Sequence, residues 1–234
     1  MGEPTDSVAV PQHLGIILDG NRRWAREHGL PVIEGHRRGV KTFKKIIKSA
    51  TRHGVRYISA YVFSTENWQR DRDEVKHLMK LFMWVLKHEI KELNSEGIRL
   101  RVIGSKVKLG HALAAAIHDA EELTKDNDRG TVLLCLDYGG QQEIVDAVKR
   151  IAELDYNPED ITPELISKFL YAPDVPPIDM IIRTSGEQRI SNFMLWESAY
   201  SEFLFDSVNW PDFDDEHLEA ALNEYAKRQR RFGS

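Results

Sequence analysis

The stretch Leu14-Gly15-Ile16-Ile17-Leu18-Asp19-Gly20-Asn21-Arg22-Arg23-Trp24 decides how the chain folds. Residues 14–18 form an apolar run of strand length, the pattern of a strand buried on both faces. The run stops at Asp19-Gly20-Asn21, which has turn chemistry, and the residues after it read as a helix start. In an open α/β sheet, ligands bind at the carboxyl ends of the strands. Free backbone N–H groups at a helix start favour an anion there, and Arg22 and Arg23 strengthen that preference. Asp19 would repel the same anion unless a divalent cation such as Mg²⁺ joins the two. An ordinary Asp-Gly turn with solvated arginines accounts equally well for these residues taken alone.

Working outward, apolar runs at 57–63, 98–103, 131–136 and 178–182 read as further strands. Helical spacing joins Phe43, Ile46, Ile47 and Ala50 in a helix that follows Gly35-His36-Arg37-Arg38-Gly39. A long helix is expected over 73–95, apolar nearly all round between Leu78 and Leu86 apart from Lys80. Such a helix is either central to the core or interface, or the wall of an apolar cavity. Further helices are expected at 109–123 and 214–229, a short one after Pro163, and one using Ile144, Val145, Val148 and Ile151. Strands alternating with helices predict an α/β fold, a single domain with a mostly parallel sheet flanked by helices on both faces. No linker or repeat divides the chain. Residues 1–12, polar and holding Pro4 and Pro11, read as a flexible N-terminal arm, and residues 13–234 as the domain.

Composition narrows the function. The chain has 234 residues, 41% of them hydrophobic, enough for a sizeable core. With 32 basic and 37 acidic residues the formal charge is −5, which argues against a nucleic-acid partner. Cys135, the only cysteine, sits in an apolar run, so no disulfide or cysteine-based metal site is expected. The first residues lack a basic start and apolar core, and no run is long enough to cross a bilayer. A soluble, cytoplasmic protein is expected.

Three strand ends carry polar clusters. The first supplies Asp19, Asn21 and Arg23, the second Ser64, Asn67 and Arg70, and the third Arg183, Arg189 and Ser191. Parallel strands place these loops on one edge of the sheet. Several guanidiniums, hydroxyls and amides suit a phosphate or diphosphate. Neither G-x-x-x-x-G-K-[ST] nor G-x-G-x-x-G is present, which argues against a nucleotide. None of the nine histidines lies in an H-E-x-x-H arrangement. His36, between Gly35 and two arginines, is placed near the anion.

These blocks resemble the cis-prenyltransferases, in particular the bacterial undecaprenyl diphosphate synthases. The resemblance rests on 13–24, on Gly35-His36-Arg37, on Phe63-Ser64-Thr65-Glu66-Asn67-Trp68 with Arg70 and Glu74, on Tyr138-Gly139-Gly140, and on 182–193 followed by Leu195-Trp196 and Tyr200-Ser201-Glu202. Order and spacing hold from His13 to Gly233. The resemblance implies a homodimer with a central, mainly parallel six-stranded sheet and an apolar tunnel. It implies Mg²⁺ and condensation of isopentenyl diphosphate with an allylic diphosphate, normally farnesyl diphosphate, to a cis-polyprenyl diphosphate such as undecaprenyl diphosphate. Transient contact with the inner membrane face goes with release of such a product.

Residue roles follow from the resemblance alone. Asp19 holds Mg²⁺ and helps the allylic diphosphate leave. Gly20, Asn21, Arg22 and Arg23 wrap that diphosphate, with His36 beside it and Trp24 against the substrate chain. Asn67 helps remove the proton from isopentenyl diphosphate. Ser64, Thr65, Glu66, Trp68 and Arg70 form the hinge and loop that close over substrate. Arg183, Arg189 and Ser191 bind isopentenyl diphosphate, and Glu202 is the second Mg²⁺ ligand, reaching across the dimer. The 73–95 helix is the expected channel wall, with Phe82, Trp84, Leu86, Val62, Leu134 and Leu136 as lining residues.

The chain departs from the family pattern at four positions. Val32 stands where an arginine is usual, Ser105 replaces an aspartate, Asp137 an asparagine and Gln141 an arginine. Losing one arginine weakens diphosphate binding by about 1–3 kcal/mol unless a neighbour substitutes, and Arg37 and Arg38 are the neighbours at hand. The alternatives are a short-chain synthase, a non-catalytic prenyl-binding subunit of the same fold, and a nucleotide-dependent phosphate-transfer enzyme. Retained Asp19, Asn67, Arg183, Arg189 and Glu202 argue against the non-catalytic subunit.

Overall fold

Strand β1 (His13–Ile17) runs through the middle of the molecule, every residue buried. The computed structural model describes residues 9–154 and 156–228. Five further strands, β2 (Tyr57–Ser64), β3 (Ile98–Ile103), β4 (Gly130–Tyr138), β5 (Met180–Arg183) and β6 (Glu202–Phe205), join it in the order β3-β4-β2-β1-β5-β6. All pairings are parallel, so every strand ends on the same edge. Side chains alternate across each strand. Leu14 and Ile16 of β1 and Val132 and Leu136 of β4 enter one core, while Ile17, Leu133 and Cys135 enter the other.

Helices α1 (Asn21–Glu27), α2 (Val32–Arg52), α3 (Arg72–His88), α4 (Ile90–Ser95), α5 (His111–Thr124), α6 (Gly140–Ala152), α7 (Pro163–Lys168) and α8 (Asp215–Lys227) make up the helical layers. The first core holds Ile46, Ile47 and Ala50 of α2, Leu78 and Leu86 of α3, and Leu218 and Leu222 of α8. The second packs Phe193, Met194 and Ala172 against the opposite face.

Two glycines set how closely α1 and α2 approach. A Cβ at Gly35 would lie 2.0 Å from the backbone oxygen of Asn21, and one at Gly39 2.2 Å from Asn21 Oδ1. Only hydrogen fits at either position, so Gly35 and Gly39 fix the start of α1 against α2. Both lie inside α2, which begins at Val32 directly after Pro31.

Three expectations need correcting. The 73–95 helix is two helices, because the ladder ends at His88 and α4 restarts at Ile90. On α6 the buried stripe is Glu143, Ala147 and Ile151, while Val145 and Val148 are about half exposed, at 46% and 50%. A short strand, β6, which none of the apolar runs marked, completes the six strands that the resemblance implies. Residues 10–12 of the expected arm are tied down: Val10 packs against the core, Pro11 is buried, and the Gln12 carbonyl accepts the N–H groups of Arg56 and Tyr57. Residues 1–8 of that arm lie outside the described residues.

Candidate active site

A cavity of about 840 Å³ opens at the carboxyl edge of the sheet. Its rim draws on all three strand-end clusters, with Asp19, Arg22 and Arg23 from the first, Ser64, Asn67 and Arg70 from the second, and Arg183 and Ser191 from the third. Gly20, Asn21, His36 and Glu66 complete this part of the lining. Beneath the rim the wall turns apolar, through Val40 and Phe43 of α2, Val62 of β2, and Leu78, Leu81 and Phe82 of α3. The helix that is apolar nearly all round thus serves both a core and a cavity.

Asp19 and Arg183 meet at the centre of the rim. Arg183 is 4% exposed, and its Nη2 donates to Asp19 Oδ2 at 2.8 Å. Its Nη1 donates to Ser191 Oγ at 2.8 Å and to the Arg189 carbonyl. The Gly20 N–H donates to Asp19 Oδ1 at 2.8 Å. The Asp19 backbone oxygen accepts the Thr184 hydroxyl at 2.6 Å and the Trp210 N–H at 3.0 Å. Gly20 has φ of +104°, and a Cβ there would lie 2.5 Å from Asn209 Oδ1. Arg23 Nη1 donates to the Ser185 carbonyl at 2.6 Å, tying α1 to the third loop.

A second group surrounds Glu74 at the start of α3. Arg70 lies 3.5 Å, Arg22 3.6 Å and His36 4.0 Å from its carboxylate. Burial, with help from Arg70 and Arg22, lowers the His36 pKa to about 4, so its ring is neutral at physiological pH. His36 Nε2, Glu74 Oε1, Arg183 Nε and Ser185 Oγ are buried without a hydrogen-bond partner. Orphaned polar atoms are uncommon in a folded protein, and their grouping around this cavity fits a polar ligand.

The loop at 65–69 is anchored at both ends. The Ser64 N–H donates to Asn67 Oδ1 at 3.2 Å, and Trp68 Nε1 donates to Asp137 Oδ1 at 2.6 Å. Asn192 Nδ2 donates to Glu66 Oε1 at 3.1 Å. Burial pushes the Glu66 pKa up, but hydrogen bonds from its own backbone, Ser64, Asn192 and Thr65 outweigh this and leave it lowered.

Some expected residues lie elsewhere. Trp24 lines a neighbouring groove rather than the main cavity. Thr65 packs beside Gly139, and Trp68 packs edge-on against Phe63 behind the rim. The Arg189 side chain turns outward to Glu187 at 2.6 Å and contributes its carbonyl to Arg183 instead. Glu202 stands opposite Met180, toward the far end of the sheet from Arg183, and accepts Arg228 Nη1 at 2.9 Å; one chain does not bring it to Asp19. Trp84 is 47% exposed on the outside of α3, and Leu86 and Leu136 are core residues. Leu134 packs partly buried against that same core. Arg37 and Arg38 face the neighbouring groove, whereas Arg26 lines the main cavity. Of these three arginines, Arg26 alone lines the main cavity.

Sequence reasoning missed Thr184, Asn192 and Arg26 as site residues. Thr184 and Asn192 lie inside the polar block after β5, but their partners come from distant loops. Arg26 falls one helical turn after Arg22 and Arg23, and that spacing was the available signal.

Asp19 offers a carboxylate with 36% side-chain exposure at the cavity. Mg²⁺ is commonly held by one or two carboxylates plus substrate phosphates, and Asp19 suits that role. Among the described residues no group of three His, Cys, Asp or Glu side chains forms a self-sufficient metal cage. No helix among them is long and apolar enough to cross a membrane.

Fold and site together define an α/β protein whose strand ends carry a cavity lined by guanidinium and other polar groups at its rim and by apolar side chains from α2, β2 and α3. The family model described as "Putative undecaprenyl diphosphate synthase" matches residues 17–233. An isoprenyl transferase of Clostridium perfringens is 46% identical, over 96% of this chain and 90% of that one. A Thermobifida fusca relative, named trans,polycis-polyprenyl diphosphate synthase ((2Z,6E)-farnesyl diphosphate specific), is 43% identical over 96% of this chain and 81% of its own. The crystal structure of lavandulyl diphosphate synthase from Lavandula x intermedia, in complex with dimethylallyl diphosphate, superposes with a TM-score of 0.93 at 36% identity, covering 96% of this chain and 99% of that one. The chain belongs to the prenyltransferase family of undecaprenyl diphosphate synthase-like enzymes.

Proposed function

We propose that the protein condenses isopentenyl diphosphate with an allylic diphosphate, farnesyl diphosphate in the first instance, to give a cis-polyprenyl diphosphate of the undecaprenyl carrier-lipid kind. The observation that carries this is the single cavity joining the Asp19–Arg183 rim to an apolar wall on α2 and α3. The names of the T. fusca enzyme and of the complex with dimethylallyl diphosphate support an allylic substrate.

In the condensation, the allylic carbon–oxygen bond breaks, a carbon–carbon bond forms to isopentenyl diphosphate, and a proton leaves the new unit as its double bond forms. Asp19 would hold Mg²⁺, which supplies charge neutralisation to the departing diphosphate. Gly20, Asn21, Arg22, Arg23, Arg26 and His36 bind that diphosphate through fixed donors that need no reorganisation as charge develops. Arg183 and Ser191 take the diphosphate of isopentenyl diphosphate, joined by Arg189 if its side chain turns inward on binding. Asn67, held by Ser64, assists proton removal. Ser64, Thr65, Glu66, Trp68 and Arg70 close the loop over both substrates.

The proposal includes a homodimer, since α6 leaves Val145 and Val148 half exposed, an apolar face that a second copy would cover. Glu202 serves as a second Mg²⁺ ligand only in such an assembly. A short-chain product is the second reading, favoured by the cavity size: about 840 Å³ lies within the range of about 300–1,000 Å³ for pockets that enclose small molecules. Incubation with radiolabelled isopentenyl diphosphate, farnesyl diphosphate and Mg²⁺ is expected to put label into butanol-extractable product. No incorporation with any allylic primer would overturn the proposal. Chromatography of the dephosphorylated product separates the two chain-length readings.

A further inference from the structure

A second groove, of about 680 Å³, lies on the outer side of α2 and α3. Its cations are Arg37, Arg38, Lys41, Lys44 and Lys80, set against Glu34 and Glu89. Both carboxylates are already engaged, Glu34 by Arg37 at 2.5 Å and Glu89 by Lys44. Arg38, Lys41 and Lys80 form no ion pair among the described residues. The chain as a whole carries −5, so this face is cationic against the trend of the molecule. Leu30 at 42% and Trp84 at 47% exposure add an apolar edge.

We propose that this face docks on an anionic lipid bilayer. Basic side chains interleaved with tryptophan and leucine are the chemistry that a negatively charged membrane surface recognises, with indole rings at the headgroup level and cations against the lipid charge. Position favours the bilayer over an acidic protein. The groove shares Val40 and Leu81 with the main cavity, so a membrane seated here lies one layer of side chains from the apolar wall. A polyprenyl product must leave that wall for a lipid phase. In this respect the inference rests on the proposed function, and it explains why Trp84, Arg37 and Arg38 face away from the substrate cavity.

The test is co-flotation of the full chain with phosphatidylcholine vesicles, with and without phosphatidylglycerol. Wild type is expected to float with the anionic vesicles, to remain behind with phosphatidylcholine alone, and to dissociate as salt rises. Each basic residue at such a surface is worth about a fivefold change in partitioning, so Lys41→Glu/Lys80→Glu should weaken flotation by about 25-fold or more. Trp84→Ser should weaken it at high and low salt alike. Condensation measured without vesicles should be unchanged in all variants, and this arm reports on the proposed function independently. Wild type failing to float on anionic vesicles, or the double variant floating equally well, would overturn the inference. So would light scattering that shows wild type dimeric and the double variant monomeric, since the face would then join two copies of the chain.

Discussion

Asp19→Asn isolates the charge at the centre of the rim. The amide keeps the shape of the carboxylate and leaves an oxygen to accept Arg183 Nη2, which now donates at 2.8 Å. What is lost is the difference between a charge-assisted bond, about 1.5–3 kcal/mol, and a neutral one, about 0.5–1.5 kcal/mol, together with the Gly20 N–H bond to Oδ1, which the amide nitrogen cannot accept, about 0.5–1.5 kcal/mol more. Arg183 is 5% exposed at its side chain and Asp19 36%, so solvent screens one partner and not the other. Arg183 also keeps the Arg189 carbonyl and Ser191 Oγ. The expected loss of stability is therefore about 2–3 kcal/mol, below the about 3–5 kcal/mol for stripping a fully buried pair. For a chain of this length that lowers Tm by about 4–12 °C. Turnover should fall far more, by about 10²–10³ or beyond, because the anchor for Mg²⁺ and the leaving group is gone. Calorimetry and initial-rate incorporation of isopentenyl diphosphate measure the two arms on one preparation. A folded variant within tenfold of wild-type turnover would refute the role of Asp19. A variant unfolded at room temperature would refute the claim that the remaining contacts hold Arg183.

Gly35→Ala should cost about 3 kcal/mol or more by denaturant unfolding, because its Cβ would meet backbone atoms of Asn21 at 2.0 and 2.9 Å rather than a movable side chain; a loss under about 1 kcal/mol would refute the close approach of α1 and α2. Burial and the neighbouring Glu143 raise the Glu197 pKa to about 8, so stability is greatest below the unfolded carboxyl range and declines as pH rises through 8. Glu197→Gln should flatten that decline and raise Tm at alkaline pH, as pH-dependent melting would show. His36, neutral with a pKa lowered to about 4, should gain protons when a diphosphate binds nearby. Diphosphate affinity measured by calorimetry should then rise as pH falls from neutral toward 5, and His36→Gln should abolish that slope.

The rim was legible because parallel strands share a direction, so polar clusters placed at strand ends in the sequence converge in space. Asp19, Asn67, Arg70, Arg183 and Ser191 needed no knowledge of packing to be grouped. Residues one turn into a helix were harder, since their direction depends on how α2 and α3 sit on the sheet. Trp84, Arg37 and Arg38 have the composition of site residues, yet the rotation of their helices turns them outward. The Arg189 side chain stands outside the rim because an exposed loop arginine takes the nearest carboxylate, here Glu187. Strand β6 escaped because Glu202-Phe203-Leu204-Phe205 is an edge segment with no alternation, and its pairing with β5 supplies the order that its own residues do not.

The backbone that follows β5 shows why the third cluster is rigid. Ser185, Ser191, Asn192 and Met194 all have positive φ, at 75°, 50°, 66° and 38°, in a region that costs non-glycine residues about 1–3 kcal/mol each. Such conformations persist only where surrounding contacts over-determine them. Each has an anchor: the Ser185 N–H donates to the Val208 carbonyl, Ser191 Oγ accepts Arg183, the Asn192 side chain bridges Glu66 and the Gln141 N–H, and Met194 is fully buried. These anchors come from β5, from the loop after β2, from the start of α6 and from the segment after β6. The same bonds that hold the strained segment thus bind the second and third strand-end clusters to each other. Arg183 is fixed before any ligand arrives, and a diphosphate meets donors whose ordering cost was met during folding.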